Sequence, residues 1–394
     1  MSVVLETNLT TEDILNFFMS KVSSFISLRS KKGRLQPSYK SQPLLIMTPE
    51  NKRSGVCHMN SRHADNLDTS ILSQLAAQAM EAYPQAYQGK IRLLTRSENA
   101  TFHIAASSGE NYALRLHRPH YHDKQSITGE LAWLKALQED IGLTVPQAIP
   151  DRDGEVIQTL KAPDGALRYA VLFNWVEGEM PTADLDPSLF QRLGEVTAHL
   201  HQHSQRWEKP DNFKRLIWNH ENMVGADGYW GDWCATPGLD SNGIIIMREA
   251  MGQIGQSLEK FGQSSDRYGL IHADLRLTNI LIHEGDTRAI DFDDCGTGWF
   301  LHDLAAAISF EEHHPAAPLW VENWLKGYDR VQSLSREEID ILPALFAQRR
   351  IQMTAWVGSH ADTDMARSLG GDWLAHTVRL CRDYLDGKTP LGAA

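Results

Sequence analysis

Between Gly269 and Asp294 the chain alternates short apolar runs with polar loops, and this segment restricts the possible folds more than any other. Gly269-Leu-Ile271 and Ile280-Leu-Ile282 read as strands. The loop between them carries His272, Asp274 and Asn279 in the spacing H-x-D-x-x-x-x-N. His283-Glu-Gly-Asp286 turns the chain back, and a further strand, Arg288-Ala-Ile290, ends at Asp291-Phe-Asp-Asp294. Taken singly, Asp and Asn are ordinary turn residues. Three polar side chains in register between apolar strands, followed by Ile-Asp-Phe-Asp, form a constellation that turns alone do not require.

The flanking sequence sorts into three parts. Residues 1–66 are basic, polar and poorly periodic around Ser30-Lys-Lys-Gly-Arg34 and Lys52-Arg-Ser-Gly55, and are expected to form a disordered tail. Met59 near its end is an alternative start. Residues 67–178 open with a helix at Asp68–Tyr83, which Asp68 can cap and Pro84 stops. Strands then follow at Ile91–Arg96, Thr101–Ala105 and Tyr112–His117, a helix at Ile127–Ile141, and strands at Glu155–Leu160 and Arg168–Asn174. Residues 179–394 are mainly helical. Asp186-Pro187 starts one helix, Ile244–Phe261 is another, Ser335 and Glu338 make a capping box before Ile339–Val357, and Asp372–Tyr384 is the last. The expected architecture is therefore α+β, with an antiparallel-sheet N-lobe and a mainly helical C-lobe that carries the polar hairpin.

Composition excludes several functions. A formal net charge of −12 is unsuited to nucleic-acid binding but compatible with a cationic substrate. No apolar run reaches the roughly 18 residues of a transmembrane helix, and no secretory signal opens the chain. Cys57, Cys234, Cys295 and Cys381 form no C-x-x-C pair and read as reduced thiols of a cytoplasmic protein, monomeric or homodimeric.

Phosphoryl transfer explains each residue type in the hairpin. An acceptor hydroxyl needs a carboxylate to orient it and to take its proton, which suits Asp274. Magnesium prefers oxygen ligands, which Asn279 and Asp291 offer. His272 would brace the loop by hydrogen bonding, and Asp293 is open to either a metal or a substrate contact.

On these residues, with Ala289–Ala307 ending in Leu301-His-Asp-Leu-Ala-Ala-Ala, the chain resembles the aminoglycoside phosphotransferase superfamily over about residues 85–385. That group is a branch of the protein-kinase-like two-lobe fold. It includes choline kinases, kinase-like homoserine kinases, hydroxylysine kinases and a bacterial stress-response Ser/Thr kinase. The resemblance implies ATP as phosphate donor and Mg2+ as the metal. It also implies a supporting role for Asp303, anchoring the loop after Asp291 from a helix start.

Tyr112-Ala-Leu-Arg115 sits where protein kinases carry Val-Ala-Ile-Lys. Ala113 would make room for adenine, Arg115 would reach the phosphates, and Glu130 in the next helix would hold the cation. Arginine in place of lysine departs from the pattern, being longer and planar. Ser97 and Asn99 in Arg96-Ser-Glu-Asn-Ala-Thr101 occupy the place of the phosphate-covering loop, and Phe173-Asn-Trp175, continuing to Gly178, reads as the hinge. His117, His120, His122, His313 and His314 are expected to be solvated loop residues. Trp218, Trp230, Trp233 and Trp299 stand apart from tryptophans expected to anchor the core, and the first three, in the irregular stretch 205–242, are candidates for lining a substrate pocket.

The reading is an ATP-dependent phosphotransferase acting on a small-molecule hydroxyl, with an amino alcohol or a hydroxy-amino acid such as homoserine favoured. A Ser/Thr protein kinase of the stress-response type and a nucleotide-binding pseudokinase remain alternatives.

Overall fold

The computed structural model describes residues 67–96, 99–181, 186–361, 363–388 and 391. The expected tail at 1–66 lies outside these residues, as does Ser97. Helix α1 (Thr69–Met80) precedes the strands β1 (Gly89–Arg96), β2 (Ala100–Ala106) and β3 (Asn111–Leu116). Helix α2 (Lys124–Ile141) separates these from β4 (Gln158–Lys161) and β5 (Leu167–Asn174). The five strands form one antiparallel sheet in the order β1-β2-β3-β5-β4.

Strand periodicity gives this sheet two distinct faces. Phe102, Ile104, Leu114, Leu116, Ala170 and Leu172 pack with Leu72, Leu75, Ala79 and Met80 of α1. Val171 and Phe173 turn the other way and join Ile127, Trp133, Leu134 and Leu137 of α2. Arg115 shares strand parity with Ala113, so both belong to this second face. Asp123 caps α2 by accepting from the Ser126 amide, and Gly142 closes it in the left-handed conformation at φ 67°.

The remainder is mainly helical. Helix α3 (Pro187–Arg206) starts at the Asp186 cap and packs on α7 (Ala317–Asp329). That contact needs glycine, because a Cβ at Gly194 would lie 2.0 Å from the Trp324 carbonyl oxygen. Strand β6 (Leu216–Trp218), helix α4 (His220–Val224), helix α5 (Ser241–Phe261) and strand β7 (Tyr268–Ile271) follow. The hairpin β8 (Ile280–His283) and β9 (Asp286–Ala289) precedes β10 (Gly296–Trp299), which lies between β6 and β7. Helix α6 (His302–Ala307) leads to α7, α8 (Arg336–Asp340), α9 (Leu342–Ser359) and α10 (Asp364–Leu385). Just past the expected lobe boundary, Glu179 and Ile282 exchange backbone hydrogen bonds of 2.8 and 2.9 Å, tying the start of the helical part to β8.

Three expected elements are corrected. The Ser335/Glu338 capping box exists, but it starts only the five residues of α8. Pro343 has no N–H to continue that helix and instead opens α9. The strand expected from Glu155 starts at Gln158, because the Asp151 carboxylate folds the preceding residues into a turn by accepting from the Asp153 and Glu155 amides. The last helix begins at Asp364 and bends at Gly370 (φ 65°), so it is longer than its periodicity from Asp372 indicates. Strands β6 and β10 and helices α4 and α7 are additional to the elements expected, while α6 starts where the resemblance placed Asp303 at a helix start.

Candidate active site

The loop after β7 is built around a buried carboxylate. Asp303, at the start of α6, accepts hydrogen bonds from the backbone amides of His272 (3.1 Å) and Ala273 (2.7 Å) and pairs with His201 Nε2 at 2.9 Å. Burial disfavours its charge, but the hydrogen bond and charge of His201, with His272 and His302 nearby, hold its carboxyl below the ordinary value. Asp303 thus anchors the loop before Asp274, not the one after Asp291. The anchoring matters because Ala273 takes φ 69°, an unfavourable conformation for alanine that needs such support.

His272 is fully buried, which lowers its pKa and keeps the ring neutral. Its Nε2 lies 3.1 Å from the Ile290 carbonyl oxygen and its Nδ1 accepts a long 3.4 Å contact from the Asp274 amide. The ring therefore ties the loop to the strand leading to Asp291.

Asp274 is held by three side chains. Oδ1 accepts from Arg349 Nη2 at 2.8 Å, while Oδ2 accepts from Arg276 Nη2 at 3.1 Å and Asn279 Nδ2 at 3.2 Å. Asn279 Nδ2 also donates to the Asp274 carbonyl at 2.8 Å. This fixes the amide with its oxygen turned away and without a protein partner among the described residues.

Asp291 stands at the cleft with φ 64° and a side chain 56% exposed. Surrounding protein mass and the carboxylates of Asp293, Asp274 and Glu130 push its carboxyl up to about 7, with Arg115 opposing the rise. Arg115 Nη1 approaches to 3.9 Å, and the same guanidinium pairs with Glu130 Oε1 at 2.5 Å and lies 5.0 Å from the Phe173 ring centroid. The expected Arg115–Glu130 pair is therefore present and buried, with side-chain exposures of 8% and 1%.

Several expectations change. Asn99 is held from both ends of its amide, donating one hydrogen to Asp293 Oδ2 (2.8 Å) and accepting from the Arg118 amide (3.1 Å), which leaves its second amide hydrogen for a phosphate oxygen. Phe173 lies within β5 opposite Ala113, so the hinge begins after it. Trp175 turns its ring edge to His103 at 5.0 Å. Asp293 is buried against His117 Nδ1 (3.3 Å), His122 Nε2 (3.5 Å) and Arg115 (3.8 Å). His117 and His122 are thus core residues, not solvated ones; only His120 of that group is exposed. His313 and His314 are partly buried and stack on His376 and Trp320. Trp218, Trp230, Trp233 and Trp299 are buried, the indoles of Trp218, Trp233 and Trp299 donate to backbone carbonyls, and Trp299 also lines a cavity with His220, Glu221 and Glu259.

Sequence reasoning missed Arg349 and Arg215. Arg215 donates to the carbonyls of Cys295, Ser126 and Asp293, joining the lobes. Arg349 had a signal: α9 is buried on all sides, yet carries Gln348, Arg349, Arg350 and Gln352 in its middle, and buried charges require partners.

Comparison with known proteins places this geometry. The family model described as the phosphotransferase enzyme family matches residues 90–339. The chain belongs to that family. It is accordingly a kinase, with the kinase-like two-lobe fold. It is 36% identical to a microcompartment-associated aminopropanol kinase of known structure, over 82% of this chain and 100% of that one, with a TM-score of 0.74. It is 27% identical over 318 residues to a homoserine kinase of Pseudomonas aeruginosa, covering 78% of this chain and 88% of the relative. An amicoumacin kinase solved with AMP-PNP, Ca2+ and Ami shares the fold at a TM-score of 0.65 and 23% identity, over 82% of this chain and 95% of that one. Among the described residues no helix of this phosphotransferase is long and apolar enough to cross a membrane.

Proposed function

We propose that this phosphotransferase moves the γ-phosphoryl group of ATP onto the hydroxyl of a small amino alcohol. The observation that supports the reading is a chain of contacts: Arg115 approaches Asp291 at 3.9 Å, the Ile290 amide beside Asp291 donates to the Asn279 carbonyl at 2.9 Å, and the Asn279 amide donates to Asp274. Arg115, braced by Glu130, supplies fixed positive charge for the phosphates on the sheet side. Asp274 orients the acceptor hydroxyl and takes its proton. As the acceptor oxygen bonds to the γ-phosphorus, the bond from phosphorus to the bridging oxygen breaks and ADP leaves.

The residues fit a magnesium ion. Desolvation, with the neighbouring carboxylates of Asp293, Asp274 and Glu130, raises the Asp291 carboxyl to about 7 against the pull of Arg115, and a bound cation would favour its charged form. Asn279 presents an uncommitted amide oxygen. Bound magnesium would neutralise phosphate charge. Asp291 and Asn279 would hold it, and Ala113 would leave space for the adenine.

The amino alcohol is favoured by the 36% identity to an aminopropanol kinase. A net charge of −12 suits a cationic acceptor and opposes nucleic acid as substrate. The free thiols of Cys234, Cys295 and Cys381 among the described residues support action in the cytoplasm, and a monomer or homodimer is the proposed assembly. The test is ADP release measured with aminopropanol, ethanolamine, homoserine, an aminoglycoside and a generic protein substrate, with Asp274→Asn as control. The amino alcohols should give the highest kcat/KM, and the control should lose about 10²-fold or more in turnover with nearly intact ATP affinity. A protein substrate outperforming the small molecules, or an unimpaired control, would overturn the reading.

A further inference from the structure

The base proposed above is gripped from below by a guanidinium that is itself held on every side. Arg349 sits in the middle of α9 and is 1% exposed. Its Nε donates to Ser309 Oγ at 2.8 Å, its Nη1 to Gln352 Oε1 at 3.2 Å and its Nη2 to Asp274 Oδ1 at 2.8 Å. The guanidinium lies 5.5 Å from the ring centroid of Trp230. Burial and the neighbouring Arg276 disfavour its charge, lowering its pKa, while Asp274 opposes that shift. A buried cation kept in place against its own desolvation, with its donors aimed at fixed acceptors, has limited freedom to bind a ligand but is well suited to fix a carboxylate.

We propose that Arg349 is a positioning residue of the reaction: it pins Oδ1 of Asp274 from the buried side and so, with Arg276 and Asn279 on Oδ2, fixes the plane of the carboxylate that meets the acceptor hydroxyl. A carboxylate free to rotate about its Cβ–Cγ bond would present either oxygen, and misplacement of a reacting group by about 1 Å costs on the order of 10²-fold in rate. Ser309 and Gln352 act one step further out, by fixing the guanidinium plane. This inference rests on Asp274 being the base.

The test separates the two. Arg349→Ala should lower kcat about 100-fold and Arg349→Lys about 10-fold, because lysine keeps the charge and loses the planar fork. The affinity for Mg-ATP should change less than about 2-fold in both, since Arg349 does not face the sheet-side cation. Millimolar guanidinium should restore part of the lost turnover in Arg349→Ala by re-entering the space beside Asp274, a recovery that a merely structural arginine would not show. In an Asp274→Ala background, removing Arg349 should cost little further, because its effect passes through the missing carboxylate. Full turnover in Arg349→Ala, or losses that multiply in the double variant, would overturn the proposal. If Arg349→Ala does not fold, Ser309→Ala and Gln352→Leu loosen the same guanidinium: several-fold lower kcat with retained ATP affinity is expected, and unchanged kcat in both overturns it. An active Asp274→Ala would instead overturn the assignment of the base.

Discussion

Replacing Arg115 with alanine should damage both stability and nucleotide binding, and the structure sets the size of the first effect. Glu130 is 1% exposed, and among the described residues its Oε2 has no hydrogen-bond partner even with Arg115 present. Removing the cation leaves a buried carboxylate uncompensated, and breaking a buried pair from one side costs about 3–5 kcal/mol. At about 2–4 °C per kcal/mol, melting should fall by roughly 6–20 °C. The loss exceeds that of an exposed strand pair, about 1 kcal/mol at most, because the pair is shielded by α2 and the sheet. Glu130→Gln should be milder, since Arg115 keeps Asp293 at 3.8 Å and Asp291 at 3.9 Å. Converting both partners to methionine should recover much of the stability but not the binding, because apolar isosteres tolerate burial and cannot reach phosphate. Thermal melting with and without Mg-ATP, together with titration calorimetry, reads both quantities. An Arg115→Ala protein that melts like the parent and binds Mg-ATP equally well would refute both the buried-pair argument and the nucleotide role.

Other outcomes follow from single contacts. Asp291 has its folded carboxyl pushed up to about 7 against an ordinary 3.8, so between these values the unfolded chain has released a proton that the folded chain retains. Stability of the unliganded protein therefore falls as pH rises through this window, and Asp291→Asn should raise the melting temperature above pH ~7, with the gain vanishing near pH ~4. The 56% exposure of the side chain keeps the gain small, and an equal gain at every pH would count against the assignment. Gly194→Ala should cost about 1–3 kcal/mol or more by chemical denaturation, because the added carbon would overlap the Trp324 carbonyl between α3 and α7. Parental stability there would mean that the helices separate freely. Asp303→Asn should lower kcat at least about 10-fold with Mg-ATP affinity kept, since one of its two acceptor oxygens becomes a donor facing amide hydrogens; unchanged steady-state kinetics would show that the loop needs no anchor.

What could be read in advance was what local sequence spells out. His272, Asp274 and Asn279 lie within eight residues, so their joint arrival in one loop depends only on flanking strands whose pattern is visible. Arg115 and Glu130 were accessible for a related reason, since a strand and the helix after it have restricted ways to pack. The histidines were misjudged because their partner is remote. His122 meets the Asp293 carbonyl across 171 residues of sequence, and no property of the Arg118-Pro-His-Tyr-His122 stretch indicates that Asp293 will cover it. Arg349 reaches Asp274 from 75 residues away, in a helix whose burial on all sides removes the amphipathic stripe that would mark an inward face. In that helix polarity itself was the available signal. Charge in the middle of a buried helix is costly unless paired. Asp274, 75 residues earlier in the chain and only 19% exposed, is the carboxylate that Arg349 pairs with. Arg350 in the same helix pairs with Glu312 instead and stacks on Trp373, so adjacent arginines divide between the site and the core.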